Sequence, residues 1–240
     1  MDSTTSVRDL PPGQRERADF PRFGMTRFAH RFPAEWLGRR VRLGGDGLRE
    51  AAVIDDATAG LRAATLVADL HCVTTWSRRG LAWRGVRFAD WYALHVEPRL
   101  AETPGADWVV LLHGQDGWQT TLPLVDALAS EALLASELDG APLGIDHGVP
   151  LRFVMPACYG YKSVKHLDAI EIRRRAPQPR SATARFFDHP RARVREEERV
   201  QGLPGWAMRW FGRLVIGRTV RTFAAANAVR PPAPAGSSRG

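Results

Sequence analysis

The chain has 240 residues, 44% of them hydrophobic, enough for one sizeable core with extensions rather than two full domains. No run approaches the roughly 20 apolar residues of a membrane span, residues 1–30 hold no signal-peptide hydrophobic region, and two cysteines are too few for a disulfide framework, so a soluble, cytoplasmic protein with reduced Cys72 and Cys158 is expected. A net charge of +8 raises nucleic acid and anionic membrane as partners, but the basic residues are spread along the chain without any nucleic-acid-binding signature, so no nucleic acid is expected.

Residues 1–33 read as an extended N-terminal arm, because Pro11-Pro12-Gly13 and Phe20-Pro21-Arg22-Phe23 interrupt any helical period while offering aromatics for packing. From residue 34 the pattern becomes strand-like: Arg40-Val41-Arg42-Leu43 precedes a glycine-rich turn at 44–47, and 65–70 is a short, mostly apolar run. Further strands are predicted at 108–113, 151–155 and 169–172, and helices at 88–94 and 124–134, the second entered through Pro123. The composition turns Arg-rich and proline-broken after Arg173-Arg174-Arg175, so the core domain is placed at 34–175 and an Arg/Pro-rich extension at 176–223. Within the extension, 204–223 sets Trp206, Trp210, Phe211, Leu214 and Val215 among Arg209, Arg213, Arg218 and Arg221, a basic amphipathic pattern in which Gly212 and Gly217 weaken the helix. Peripheral contact with an anionic bilayer and docking onto the protein's own core are both open. Residues 224–240 are too poor in large apolar groups to offset ordering entropy and are expected to be a disordered tail.

Only Lys162 and Lys165 among the 34 basic residues are lysines, and they lie three apart in Tyr159-Gly160-Tyr161-Lys162-Ser163-Val164-Lys165. Against that bias, the pair suggests a place where a compact ammonium is wanted, such as a phosphate held as a point charge, rather than chance survival on a solvated turn. In Asp69-Leu70-His71-Cys72-Val73-Thr74-Thr75-Trp76-Ser77 a cysteine leaves an apolar strand into a Thr/Ser-rich turn. There a thiolate can be a nucleophile or metal ligand, although a small buried thiol fits as well. Arg152 sits in a short apolar segment after His147-Gly148-Val149-Pro150, where an unpaired guanidinium would be costly, so it needs an anionic partner. A glycine-punctuated loop, His113 to Pro123, follows a buried strand and is a usual position for binding residues.

Taken in order, these stretches resemble the molybdopterin-binding domain of the sulfite oxidase family, especially its small bacterial members related to the catalytic subunit of protein-methionine-sulfoxide reductase. The cysteine motif is matched by His71 to Ser77 and by Trp83-Arg84-Gly85-Val86; the later signature is matched by Pro150, Arg152 and the turn from Tyr159 to Lys165. The resemblance implies an α+β fold, a β-rich mixed-sheet molybdopterin-binding fold with short helices. It also implies a molybdenum-molybdopterin (Mo-MPT) cofactor whose metal takes Cys72 as its one protein thiolate. By the same carry-over His147 and Arg152 contact the pterin or its phosphate, Ser163, Val164 and Lys165 cradle that phosphate, His113 makes a polar contact with the cofactor, and Tyr161 stands on the substrate side. Position 147 departs from the reductase pattern, where asparagine is usual. Cys158, His71 and His166 are expected to be structural.

The implied activity is a two-electron oxygen-atom transfer on a small-molecule substrate, a sulfur or nitrogen oxide. With only an Arg/Pro-rich extension after Arg175, neither a haem domain nor an immunoglobulin-like dimerisation domain is expected. A monomer served by a separate electron carrier, a haem or flavin protein, follows. Two other readings compete: a zinc protein using Cys72, Cys158, His147 and His166, whose spacing lacks the short pairs of such sites, and a cofactor-free membrane-surface or protein-binding module using 204–223.

Overall fold

In the computed structural model the described residues are 9–33, 38–178 and 189–229. They form eleven strands and three α-helices arranged around two mixed sheets, the α+β class expected.

The first sheet is organised by two long strands, β4 (Ala63–His71) and β5 (Trp76–Arg87), paired antiparallel and joined by the loop 72–75. Against β5 lie β1 (Arg15–Glu16), parallel to its start, and β8 (Leu133–Leu138), antiparallel to its end; β8 in turn carries β9 (Ala141–Pro142) and β10 (Arg152–Val154). Gly85 is required where β5 meets β8, since a Cβ there would stand 1.9 Å from the Leu134 carbonyl oxygen. The second sheet runs β3 (Ala52–Ile54), β2 (Val41–Gly44), β11 (Leu167–Arg173), β6 (Val109–Gly114) and β7 (Gln119–Pro123). The main core includes Val110, Leu112 and Ile170 of this sheet, Leu134 and Phe153 of the other, and Phe88 and Trp91 of α1 (Phe88–His95). Each such side chain contributes on the order of 1.5–3 kcal/mol by leaving water.

Three expectations change. The helix expected over 124–134 stops after one turn, α2 (Leu124–Ala127), and Leu133–Leu138 is strand β8. Helix-favouring Leu-Leu-Ala is overridden because the segment fills the gap between β5 and β10, burying Leu133, Leu134 and Ala135. Within the extension, the basic amphipathic segment lies in one continuous helix, α3 (Gly205–Ala228), which runs through both Gly212 and Gly217. It docks on the core with Met208, Gly212, Thr219, Phe223 and Ala226 buried. The tail expected from 224 is therefore helical through Ala228, because Phe223 and Ala226 pack against Ala29 of the arm; residues 230–240 lie outside the described residues. No helix among the described residues is long and apolar enough to cross a membrane.

Candidate functional site

Cys72 opens the loop between β4 and β5, and its conformation is fixed from several directions. Its amide donates to the Trp76 carbonyl at 2.7 Å, and its own carbonyl accepts the Thr75 amide at 3.1 Å and Gln14 Nε2 at 3.0 Å. Thr75 has φ 80°, a left-handed conformation costly for a β-branched residue and kept only where the surroundings over-determine it. Those surroundings include Arg199, whose buried guanidinium donates to the Val73 and Pro12 carbonyls, both at 2.8 Å. Gly212 of α3 also presses on the loop: a Cβ there would be 2.9 Å from Thr74 Cα. The Cys72 thiol lies 3.1 Å from the Thr74 hydroxyl. Burial raises its pKa, while Thr74 and the more distant cations Arg199 and Lys165 oppose the shift.

Cys72 faces a cavity of about 600 Å³. One wall comes from the β10–β11 region and supplies Arg152, Ser163, Lys165 and His166. Arg152 is buried over the Trp83 ring at 4.9 Å and donates only to the His147 carbonyl at 3.2 Å, which leaves its Nε without a partner among the described residues. Burial lowers it to about 9. Lys165 Nζ donates to the Asp146 carbonyl at 2.6 Å. Burial first, then Arg152 and Arg22, lower it to about 7, against the attraction of Asp116 and Asp146. Neither cation forms an ion pair among the described residues. Gly148, with φ 110°, lets its loop lie on Lys165, since a Cβ would stand 3.0 Å from Lys165 Cα. The Ser163 hydroxyl accepts the Met155 amide at 3.1 Å, leaving its O–H for a ligand.

The other walls come from the arm and α3. Phe20 stacks on the His147 ring at 4.3 Å, Phe23 meets Trp76 edge-on at 5.5 Å, and Phe211, Val215 and Arg218 line the far side. Arg22 is buried between arm and helix, donating to the Ala29 and Arg31 carbonyls at 2.7 and 2.6 Å and to Asn227 Oδ1 at 3.1 Å. Asp116 is the one acidic residue lining the cavity among the described residues; burial raises its pKa, and its Oδ1 accepts the Trp118 amide at 2.9 Å.

Of the residues singled out in the sequence, Cys72, Arg152, Tyr161, Ser163 and Lys165 share this cavity. His113 does not: on β6 its Nε2 lies 2.9 Å from Glu171 Oε1 and its Nδ1 2.9 Å from Gln119 Nε2, so it belongs to a polar cluster of the second sheet. His147 stands behind the wall, held by Phe20 and lowered to about 3 by burial; its carbonyl serves Arg152. Val164 is core, its carbonyl accepting the Phe153 amide at 2.9 Å. The Ser163 amide donates to the Gly160 carbonyl at 3.1 Å. Lys162 is fully buried and donates to the Thr121 carbonyl at 2.6 Å; only the second of the two lysines reaches the cavity. Tyr161 donates through its hydroxyl to the Arg199 carbonyl at 3.3 Å and so links the wall to the Cys72 clamp. Cys158 is a packed thiol donating to the Arg191 carbonyl and pushed up to about 12 by burial, and among the described residues no group of three or more His, Cys, Asp or Glu is placed to hold a metal. Missed in the sequence were Arg22, Asp116 and Arg199, while His166, expected to be structural, lines the cavity with its Nδ1 2.6 Å from the Val149 carbonyl oxygen. Asp116 alone carried a local signal, its place in the glycine-punctuated loop after β6.

Residues 35–180 match the family model described as the oxidoreductase molybdopterin binding domain. The chain belongs to this family. The family's cofactor is molybdopterin, as in the sulfite oxidases. Among similar proteins is the uncharacterized oxidoreductase YuiH of Bacillus subtilis (strain 168), 44% identical over 104 residues, 43% of this chain and 50% of that protein. The protein-methionine-sulfoxide reductase catalytic subunit MsrP of Xanthomonas axonopodis pv. citri is 28% identical over 189 residues, 68% of this chain and 57% of its own. The sulfane dehydrogenase SoxCD of Paracoccus pantotrophus matches in fold with a TM-score of 0.50 at 19% identity, over 65% of this chain and 43% of its own. The chain thus spans about half the length of the curated relatives it matches.

The residues present fit a molybdopterin. A soft sulfur donor faces the cavity, and two buried cations without anionic partners among the described residues, one with an orphaned Nε, lie on a neighbouring wall. Aromatic faces from Trp76 and Trp118 complete the enclosure.

Proposed function

We propose that the chain catalyses two-electron oxygen-atom transfer, in the direction that reduces a small organic sulfoxide or N-oxide, with electrons delivered by a separate haem or flavin protein. The observation that carries this reading is Cys72 facing a cavity with Arg152 and Lys165 at one wall and Arg218 at another, while Phe23, Trp76, Trp118 and Phe211 line much of the remainder. An uncharged oxide with an apolar substituent suits the apolar part of that surface better than a small dianion would. The similarity to a protein-methionine-sulfoxide reductase subunit supports the same direction.

When bound, the molybdenum cofactor supplies the two-electron exchange, and reduction of an organic sulfoxide by two electrons and two protons gives the thioether and water. This chain's residues hold and orient. Cys72 offers its sulfur to the metal, Arg152 and Lys165 hold the anionic end of the pterin, and the Ser163 O–H donates there. Asp116, raised by burial, keeps a proton inside the cavity more readily than a free carboxyl would. The arm and α3 wall the cavity with Phe23, Phe211 and Val215 and so limit the access of water. A monomeric state and a cytoplasmic location belong to the same proposal.

The test is molybdenum by mass spectrometry and released pterin by fluorescence, on protein from a cofactor-making host, followed by turnover of methionine sulfoxide with a reduced viologen. Stoichiometric metal and pterin, and activity abolished in Cys72→Ser, are expected. Absence of both metal and pterin overturns the reading, and sulfite oxidation without sulfoxide reduction overturns its direction.

A further inference from the structure

Helix α3 shows two different faces. The inner one packs on the core and helps to line the cavity; the outer one carries Trp206, Trp210 and Leu214 at successive i, i+4 positions, 67%, 69% and 64% exposed. Leu203 and Phe211 are exposed beside them, so five of the ten exposed large apolar side chains among the described residues fall within 203–214. Single exposed apolar residues need no explanation, but a contiguous patch with two tryptophans does.

The charge on the same helix is one-sided. It contains four arginines and no acidic residue. Arg209 is held 3.6 Å from Glu197, whereas Arg213, Arg218 and Arg221 form no ion pair among the described residues. Helical spacing places Arg213 beside Trp206 and Trp210, and Arg221 in line two turns beyond Leu214. Apolar and cationic side chains therefore share one outward face. A bilayer surface with anionic headgroups takes both at once: indole rings settle at the headgroup level, leucine goes just beneath, and guanidiniums stay among the phosphates.

We propose that the outer face of α3 docks the protein on an anionic lipid surface. The helix lies in the interface plane and does not insert. Because Phe211, Val215 and Arg218 of the same helix line the cavity, docking holds the redox site about one helix diameter, ~10 Å, from the headgroups. This inference is independent of the substrate reading above.

The experiment is flotation of the full-length, cofactor-loaded protein with vesicles of phosphatidylcholine alone or mixed with phosphatidylglycerol. It compares wild type with Trp206→Ser/Trp210→Ser and with Arg213→Gln/Arg221→Gln, none of which lines the cavity. Brominated lipid in the mixed vesicles reads tryptophan quenching in the unsubstituted protein. Expected are flotation with mixed vesicles only, weakening as salt rises, quenching by the brominated chains, and about 25-fold weaker binding in the arginine pair, from roughly fivefold per cation near the surface. The tryptophan pair should bind at least tenfold more weakly while keeping its pterin. Absence of flotation and quenching, equal flotation with phosphatidylcholine alone, or unchanged binding in both variants overturns the proposal. So does a wild-type dimer that the tryptophan pair converts to monomer, since the face would then belong to a second copy.

Discussion

Replacing Lys165 with methionine removes a charge that the cavity holds at a cost when no cofactor is bound. Its ammonium has one hydrogen bond, to the Asp146 carbonyl, and burial with Arg152 and Arg22 nearby lowers it to about 7. Exchanging a poorly paired buried ion for an apolar chain of similar volume is neutral to stabilising by about 1–4 kcal/mol, and the lost hydrogen bond returns about 1 kcal/mol. The cofactor-free variant should therefore be ~1–2 kcal/mol more stable at pH 7. The sign with pH follows from the same shift. The unfolded lysine titrates near 10.4 and so keeps its proton where the folded one has lost it, and the cofactor-free wild type gains up to ~1.4 kcal/mol per pH unit above about 7. The variant lacks that gain. Buried Cys72 and Cys158 ionise first in the unfolded chain above roughly pH 8.5 and work the other way in both proteins, so the wild-type-minus-variant difference is read between about pH 7 and 8.5. Urea unfolding of protein from a cofactor-deficient host gives the stabilities, and pterin fluorescence of protein from a competent host gives the binding, expected to fall at least tenfold. A variant that is less stable than wild type with an unchanged pH slope, or one that loads pterin normally, refutes the assignment of Lys165 as a buried cation awaiting an anion.

Arg199→Met leaves the Val73 and Pro12 carbonyls without their donor and removes the guanidinium lying 5.0 Å over the Tyr159 ring; a loss of ~2–4 kcal/mol in urea unfolding is expected, and a loss below about 1 kcal/mol would show that the Cys72 loop holds itself. Gly212→Ala would ordinarily stabilise a helix interior by about 1 kcal/mol, but here the new methyl meets Thr74, so a net loss of ~1–2 kcal/mol with poorer retention of molybdenum is expected; a gain in stability refutes the contact. His147 and His166 are lowered to about 3 and about 4, so the unfolded imidazoles bind protons first and stability falls as pH drops from about 6.5 towards 4, by up to ~1.4 kcal/mol per unit for each. His166 has φ 53°, which asparagine tolerates, so His166→Asn should fold and lose one imidazole's share of that slope; an undiminished acid slope counts against the burial of His166.

The parts of the site legible in the sequence are those whose chemistry is declared by neighbours in the chain. Cys72 stands at the end of an apolar strand, Arg152 inside an apolar segment, and Lys165 in a chain almost without lysine. A local pattern fails where a residue's partner is distant. Residues 133 and 134 read as the end of a helix until β5 and β10 are placed on either side, and nothing near His113 in the chain announces Glu171 of β11 beside it. Lys162 and Lys165 are alike on paper and separate only when the turn carries one inward to Thr121 and the other to the cavity.

The same distance hides what holds the cysteine. Gln14 reaches the Cys72 carbonyl from 58 residues away and Arg199 reaches Val73 from 126, so the clamp on a strained loop is made of segments that read as an arm and as an Arg-rich extension. A left-handed Thr75 costs on the order of 1–3 kcal/mol and cannot be held by its own four-residue loop. Two remote donors and the close approach of Gly212 offset that cost. Placement of the Cys72 sulfur is consequently a property of the folded arm, core and helix together, and substitutions far from the cavity along the chain should act on that sulfur first.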